Sequence, residues 1–464
     1  MAAQNHLDMI PQSHQPSHKR SNVPHLPDDL IEAIVSFLPP KEVCRLAVLS
    51  KRFRYSWHFC RDLCFDREFA MNMSRDEYKN VVNNFFFHNV NSRVDTFKLY
   101  FDAAGDTCLV CYWIHRAVTL GVREFELDFT PSAKKYMLSY ELVDVKTIRI
   151  MRLVNCELHL PFVANGLRHL RELTFERVRA RPVAMQAIFL NCVSLRSLQL
   201  IQCNNVYNLK ISALELKGFQ NLVVKNCSDV HSVSIKAPAL RSFHYHGKIC
   251  DFKFYSDLPK LKDVVLEIAH PRGFHLLSNR EHVVISLAFV RVLTVTSTFL
   301  EGLSARFEEN EYREMEFCMP RLEEFHLIVA PESNLIPSDI ASFLKKCPRI
   351  ERVFIDLGNN AFGSSVFWES YGRKYLSEWQ AVFPHLKCVK IKGFTLNELP
   401  VTMARFFLKA AVYLHYLVLV KPKRHYYFPE TFVHDCLRWG TTSNAQIQIY
   451  DHQGDTSTII PQHL

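Results

Sequence analysis

The spacing most suggestive of chemistry in this chain is Cys108, Cys111 and His115, a C-x2-C-x3-H run. Two thiolates and an imidazole would supply three of the four tetrahedral ligands of a structural zinc. No second ligand pair lies nearby in sequence. The three residues fall at i, i+3 and i+7 of an apolar run, so packing on a helix face is the favoured reading. The chain has no GxGxxG or GxxxxGK[ST] for nucleotide phosphates and no GxSxG elbow. Its 22 histidines are scattered, and no Cys–His or Ser–His pairing follows from spacing. The expectation is a non-catalytic chain with no metal and no cofactor, whose function lies in its surfaces.

Three further cysteines explain where thiols are wanted. Cys156, Cys203 and Cys227 each end a pattern of the type LxxLxLxxC, as in Leu195, Leu198, Leu200, Cys203 and Phe219, Leu222, Val224, Cys227. The two apolar residues that are two apart point to one face of a strand, and the residue between them faces out. A Cys three positions later can turn inward and hydrogen-bond the backbone as the chain leaves the strand. These thiols are read as structural. The 14 cysteines are spread over the whole chain, which suits reduced thiols better than a disulfide frame.

The same pattern recurs with looser members from Val94-Phe97-Leu99 to Leu414-Leu417-Leu419, at intervals of roughly 21 to 36 residues, which overlap and exceed the leucine-rich-repeat range. One such unit cannot bury its own apolar face, but stacked units can. The expected fold is α/β, a curved solenoid with one parallel sheet. Val206-Leu209-Ile211 and Val230-Val233-Ile235 sit half a repeat from their neighbours and predict short strands on the outer side. Elsewhere the returning segments read as helices: one capped by Asp106 and closed by Gly121, one capped by Ser338, one around Met403–Leu408.

Composition limits the partners. Of 464 residues, 48% are hydrophobic, enough for a sizeable core, and the formal charge is a mild +9. Lys and Arg fall in short clusters, none long enough to define a nucleic-acid groove. No apolar run approaches the length of a membrane span. The first residues are rich in His, Gln, Ser and Pro and read as a disordered arm.

Residues 26–59 carry a separate signal. LPDDL leads into an apolar helical stripe of Leu30, Ile31, Ile34, Phe37 and Leu38. Asp28 and Asp29 suit the first turn, Pro39 and Pro40 stop the helix, and Pro40 can open the next. Val43, Leu46 and Ala47 form a second stripe. Ser50 is placed to cap a third helix with Phe53 and Trp57. So much apolar surface on so little chain implies a partner.

LPDDL, FLPPKEV and LSKRFR resemble an F-box in order and spacing, with Phe53 where that family usually has Trp. FPHLKCVKIKGFTLNELPVTMARFFLKAAVYLHYLVLVKPKR, from Phe383 to Arg424, resembles the FBD region that ends many plant F-box/leucine-rich-repeat proteins. WIHRAVTLGVREFELDF, from Trp113, resembles their first repeat. The resemblance divides the chain into an arm (1–23), a three-helix F-box (24–69), a repeat solenoid (70–382), FBD-like repeats (383–450) and a tail (451–464).

The resemblance implies the substrate-recognition subunit of an SCF-type ubiquitin ligase, working in the nucleus and/or cytoplasm. Its partners would be a Skp-like adaptor, through it a cullin, and an unidentified protein substrate, with no nucleic acid and no membrane. The adaptor-facing residues would be Leu26, Pro27, Leu30, Ile31, Ile34, Leu38, Pro39 and Val43, followed by Leu46, Leu49 and Trp57. Outward strand positions are the expected substrate face: Arg152, Gln199, Lys225, His244, His326 and Lys390. The alternative is a non-catalytic repeat scaffold without a ubiquitin role. Adaptor co-purification separates the two.

Overall fold

The structure is a computed structural model that describes residues 26–49, 53, 59–88, 93–138, 145–160, 165–255, 258–269, 280–303, 305–306, 312–313, 316–331, 333–358, 374, 376, 382–423, 430–438 and 443–463. Among these, fifteen strands form one sheet in chain order, from Asp62–Phe65 through Thr96–Tyr100 to Tyr416–Val420 and Gln446–Tyr450. Neighbouring strands are parallel throughout. The register follows the repeated pattern. Leu173 pairs with Leu198, Leu198 with Leu222 and Leu222 with Phe243, and the second inward row runs Phe175, Leu200, Val224, Tyr245. Both rows are buried. Each rung thus contributes two apolar side chains, about 1.5–3 kcal/mol each relative to exposure, to a core shared only with adjacent rungs.

The exit from each strand is built alike. Asn155, Arg177, Gln202 and Asn226 follow their strands with φ between 51° and 54°. This left-handed residue turns the chain out of the strand, and the side chain after it points inward. Behind it come Cys156, Val178, Cys203 and Cys227, all buried. Cys203 donates its thiol to the carbonyls of Phe175 and Ile201 at 3.5 Å, and Cys227 donates to those of Leu200 and Lys225 at 3.6 Å. The expected structural role of these thiols is what the structure shows. Farther on, glycine does the turning: Gly393 has φ +78°, and a Cβ there would meet the Gly358 carbonyl oxygen at 2.5 Å.

On the outer side the expected short strands are present. Asn208–Ser212, Ser232–Lys236 and Asp251–Phe254 form a parallel sheet, and a second one of Tyr136–Leu138, Cys156–Leu158 and Arg179–Ala180 was not foreseen. Helices fill other returns, including Thr107–Thr119, Pro182–Asn191, Pro337–Lys345 and Glu398–Ala410. Two cap expectations are corrected. Ser338 lies inside its helix, where the Asp339 carboxylate accepts from the Ile336 amide instead. Asp106 sits at its cap position but pairs with Arg75 at 2.9 Å rather than with helix amides.

The N-terminal helices α1 (Asp28–Val35) and α2 (Pro40–Leu49) join the start of this core. Ile31, Val35 and Val43 are buried in it, and the Cys60 thiol donates to the Leu38 carbonyl at 3.5 Å. Phe65 on the first strand then packs edge-on to Phe69, Phe85 and Phe97.

Candidate functional site

The Cys108–Cys111–His115 run does not form a core face. The helix Thr107–Thr119 buries Val110, Trp113, Ile114 and Ala117, while Cys108 and His115 are exposed and Cys111 is half-buried. The helix period carries the three residues away from the sheet side, which corrects the packing expectation. Among the described residues no group of three or more His, Cys, Asp or Glu could hold a metal ion.

Helix α1 has two apolar faces. Ile31 and Val35 point into the chain, and Leu30 and Ile34 point out, 51% and 47% exposed. Leu26 and Phe37 extend the outer face, and Val48 on α2 is 87% exposed. Of the expected adaptor-facing residues, Leu26, Pro27, Leu30, Ile34 and Pro39 are accessible, and Leu38 is half-buried against the core. Ile31 and Val43 are 5% and 0% exposed, so they support the surface from below rather than lining it. The spacing i, i+4, i+7 could not separate the two faces, because seven apolar residues in the nine from Leu30 to Leu38 leave no polar side to mark solvent. Leu46 is half-buried. The Leu49 side chain, Ser50 and Trp57 lie outside the described residues.

The outward side of the sheet divides in two. In its first half Arg152 bridges Glu126 at 3.2 Å and Glu176 at 2.8 Å, Gln199 is half-buried, and Lys225 is exposed. The carboxylates raise the Arg152 pKa, the Glu176 hydrogen bond contributing most. Its charge is thus already matched within the chain.

The second half is covered by the C-terminal tail, which runs back across the strands. Lys390 pairs with Asp455 at 2.7 Å and donates to the Ser457 hydroxyl at 2.7 Å and the Ile459 carbonyl at 3.0 Å. The Gln462 amide donates to Glu324 Oε1 at 2.7 Å, and His463 meets the Thr294 hydroxyl at 3.0 Å and the ring of His244 at 5.1 Å. Lys390 and His326 are consequently buried, at 7% exposure each, and His244 is half-buried. Burial lowers the pKa of both histidines to about 4. These three residues do point outward from the sheet, as the alternation requires, but they are not a free face. The signal for this was legible: the outward positions Val265, Phe354 and Val418 are apolar and buried, which a solvent-facing row would not be.

The F-box domain model matches residues 23–64, and the model described as At1g61320/AtMIF1, LRR domain, matches residues 88–445, most of the chain. The chain belongs to the F-box/leucine-rich-repeat family. It is 30% identical over 416 residues to the putative FBD-associated F-box protein At1g61330 of Arabidopsis thaliana, covering 86% of this chain and 91% of that one. It is 29% identical over 409 residues to the FBD-associated F-box protein At1g61320 of the same plant, covering 86% and 88%. The F-box/FBD/LRR-repeat protein At2g26030 is 24% identical over 417 residues. F-box domains generally bind Skp1-like adaptors, which implies a cullin-containing complex, and F-box/leucine-rich-repeat proteins are generally non-catalytic substrate adaptors of SCF ligases. Among the described residues no helix is long and apolar enough to cross a membrane.

Proposed function

We propose that this chain is the substrate-recognition subunit of an SCF-type cullin-RING ubiquitin ligase, with the F-box on the Skp-like adaptor and the repeats on a target protein. The observation that carries the reading is the outer face of the two N-terminal helices. Leu26, Leu30, Ile34, Phe37 and Val48 stay exposed while Ile31, Val35 and Val43 anchor the same helices to the repeat core. An apolar patch on a firmly seated support is what a permanent partner covers. The receptor performs no bond chemistry. It raises the local concentration of substrate lysines beside the conjugating enzyme.

The substrate face is assigned to the open half of the sheet, around Arg152, Gln199 and Lys225, with His244 at the boundary; His326 and Lys390 would join it only if the tail leaves. The division into arm, F-box, repeats, FBD-like repeats and tail is kept as proposed from sequence, and the nucleus or cytoplasm as the working compartment. The test is affinity purification from native tissue with proteasome activity blocked. Recovery of an adaptor, a cullin and a short-lived protein supports the reading. Recovery of a stable partner without the adaptor would make the chain a scaffold.

A further inference from the structure

Stacking the repeats assembles a feature that the linear sequence disperses. The residue just before each strand is bonded through its backbone to its counterpart in the next repeat: Arg171 N to Arg149 O, Arg196 N to Arg171 O, Lys262 N to Arg241 O and Arg291 N to Lys262 O, all at 2.7–2.8 Å. Over eight successive rungs these positions are Arg123, Arg149, Arg171, Arg196, Gln220, Arg241, Lys262 and Arg291. Seven of the eight are basic. With strands about 4.8 Å apart the row is about 30 Å long.

The row is not explained by the chain's own contacts. Arg123 reaches Asp95 at 3.7 Å and Arg291 reaches Glu323 at 2.9 Å, which close its two ends. Among the described residues, Arg149, Arg171, Arg196, Arg241 and Lys262 enter no ion pair, and all five are exposed. Like charges set side by side along a sheet repel, so the row weakens the fold slightly rather than supporting it. Near one end it borders a cleft of about 540 Å³ lined by Arg93, Arg123, Lys146, Arg149 and His169. On the sheet face, by contrast, Arg152 is already matched by Glu126 and Glu176.

We propose that this rim is an interaction surface for an extended acidic segment, rich in Asp and Glu, of the protein substrate. The inference rests on the repeats being the capture surface, and it names the chemistry captured. Arginines favour carboxylates, which they can grip through two N–H groups at once. A row of about 30 Å matches about ten residues of extended chain. Its bounded length, between Asp95 and Glu323, suits a short segment rather than a long polyanion.

The test uses the full chain with its adaptor and a fluorescent peptide of ten mixed Asp and Glu residues. A Gln/Asn peptide of equal length and a single-stranded oligonucleotide of ten phosphates are the comparators. The acidic peptide is expected to bind best, and to weaken at least tenfold between 50 and 300 mM salt, roughly as screening shortens. The variant R149E/R171E/R196E is expected to lose at least tenfold in affinity, and R149Q/R171Q/R196Q to lose less. Both variants should keep the wild-type melting temperature and adaptor binding, since exposed substitutions rarely matter to folding. Equal binding by wild type and the Glu variant, equal binding of the Gln/Asn peptide, or tighter binding of the oligonucleotide would each overturn the proposal. Failure of the wild type to bind the adaptor would instead count against the ligase reading, and the peptide measurement would then be made on the full chain alone.

Discussion

Lys390 and Asp455 close a 2.7 Å ion pair over the outward face of the parallel sheet, with the lysine side chain 8% exposed. A buried lysine needs its carboxylate, because removing one partner strands the other charge away from water. Burial works to raise the Asp455 pKa, but hydrogen bonds from Lys390 and Ser457 and the lysine charge together hold it below the usual range.

Asp455→Asn should therefore loosen the tail, at a cost of about 1–3 kcal/mol for the unmatched lysine. Lys390→Met in the same chain should recover much of it. Hydrogen exchange of amides 455–463 is the readout. Unchanged exchange in Asp455→Asn would mean that the other tail contacts, Gln462 to Glu324 and His463 to Thr294, hold the tail without the ion pair.

The tail should also respond to pH. His244 and His326 are each lowered to about 4, mainly by burial, from an ordinary value of 6.5, and burial lowers His463 too. For His326, Asp356 and Glu267 oppose the shift while His463 and Lys392 add to it; for His244, His463 and His246 add to it and Glu267 opposes it. The undocked or unfolded chain binds protons from about pH 6.5 downward, and the docked chain does so only near pH 4. Stability is therefore full above pH 6.5 and falls as the pH drops toward 4. Denaturation midpoints at pH 7.5 and 5 should differ, and His326→Leu should narrow the gap. Asp455 does not contribute in this window, since its folded value is depressed and its proton returns only at lower pH.

The period of the repeats was readable because each strand shows two inward residues two positions apart, and that pair recurs along the chain as stacked repeats require. The inward prediction at Leu198, Leu200, Leu222 and Val224 holds, with Gln199 and Val223 half-buried on the outer side. Two things were not readable. Arg149, Arg171 and Arg196 stand 22 and 25 positions apart, too far for a charge cluster in sequence, and only the stacking of rungs aligns them. The tail contacts join Lys390 to Ser457 and Thr294 to His463, pairs that no local pattern connects. On α1 the apolar positions carried no sidedness, since a second apolar face looks the same whether it meets the core or a partner.

Thiol reactivity should follow burial. Burial pushes the Cys156 and Cys192 thiols up to about 12, and it also raises Cys347. The thiolate is the reactive form, so these should resist alkylation in the native state. Cys108 and Cys318 are exposed and should react first. Mass spectrometry after brief iodoacetamide treatment checks this, and rapid labelling of Cys156 would mean that its rung opens readily.

Leu200, 1% exposed on the second inward row, tests the solenoid core. Leu200→Ala should cost about 2–5 kcal/mol by leaving a cavity between rungs. Gln199→Ala, on the other face, should change stability by no more than about 0.5 kcal/mol. Chemical denaturation distinguishes them, and reversed effects would shift the register by one residue.

The sharpest test of the N-terminal surface uses neighbours on α1. Leu30 is 51% exposed and Ile31 is 5% exposed, though they are adjacent in the chain. A charge at Leu30 leaves the core untouched but puts a carboxylate where an apolar partner would sit, and losing a hot spot costs about 2 kcal/mol or more. Leu30→Asp and Ile34→Asp should abolish adaptor pull-down while the melting temperature stays near wild type. Ile31→Asp should instead lower the melting temperature, because it buries a charge beside Val35 and Val43. Leu38→Asp, half-buried, should show part of each effect. If Leu30→Asp kept full adaptor binding, the outer face of α1 would not be the docking surface.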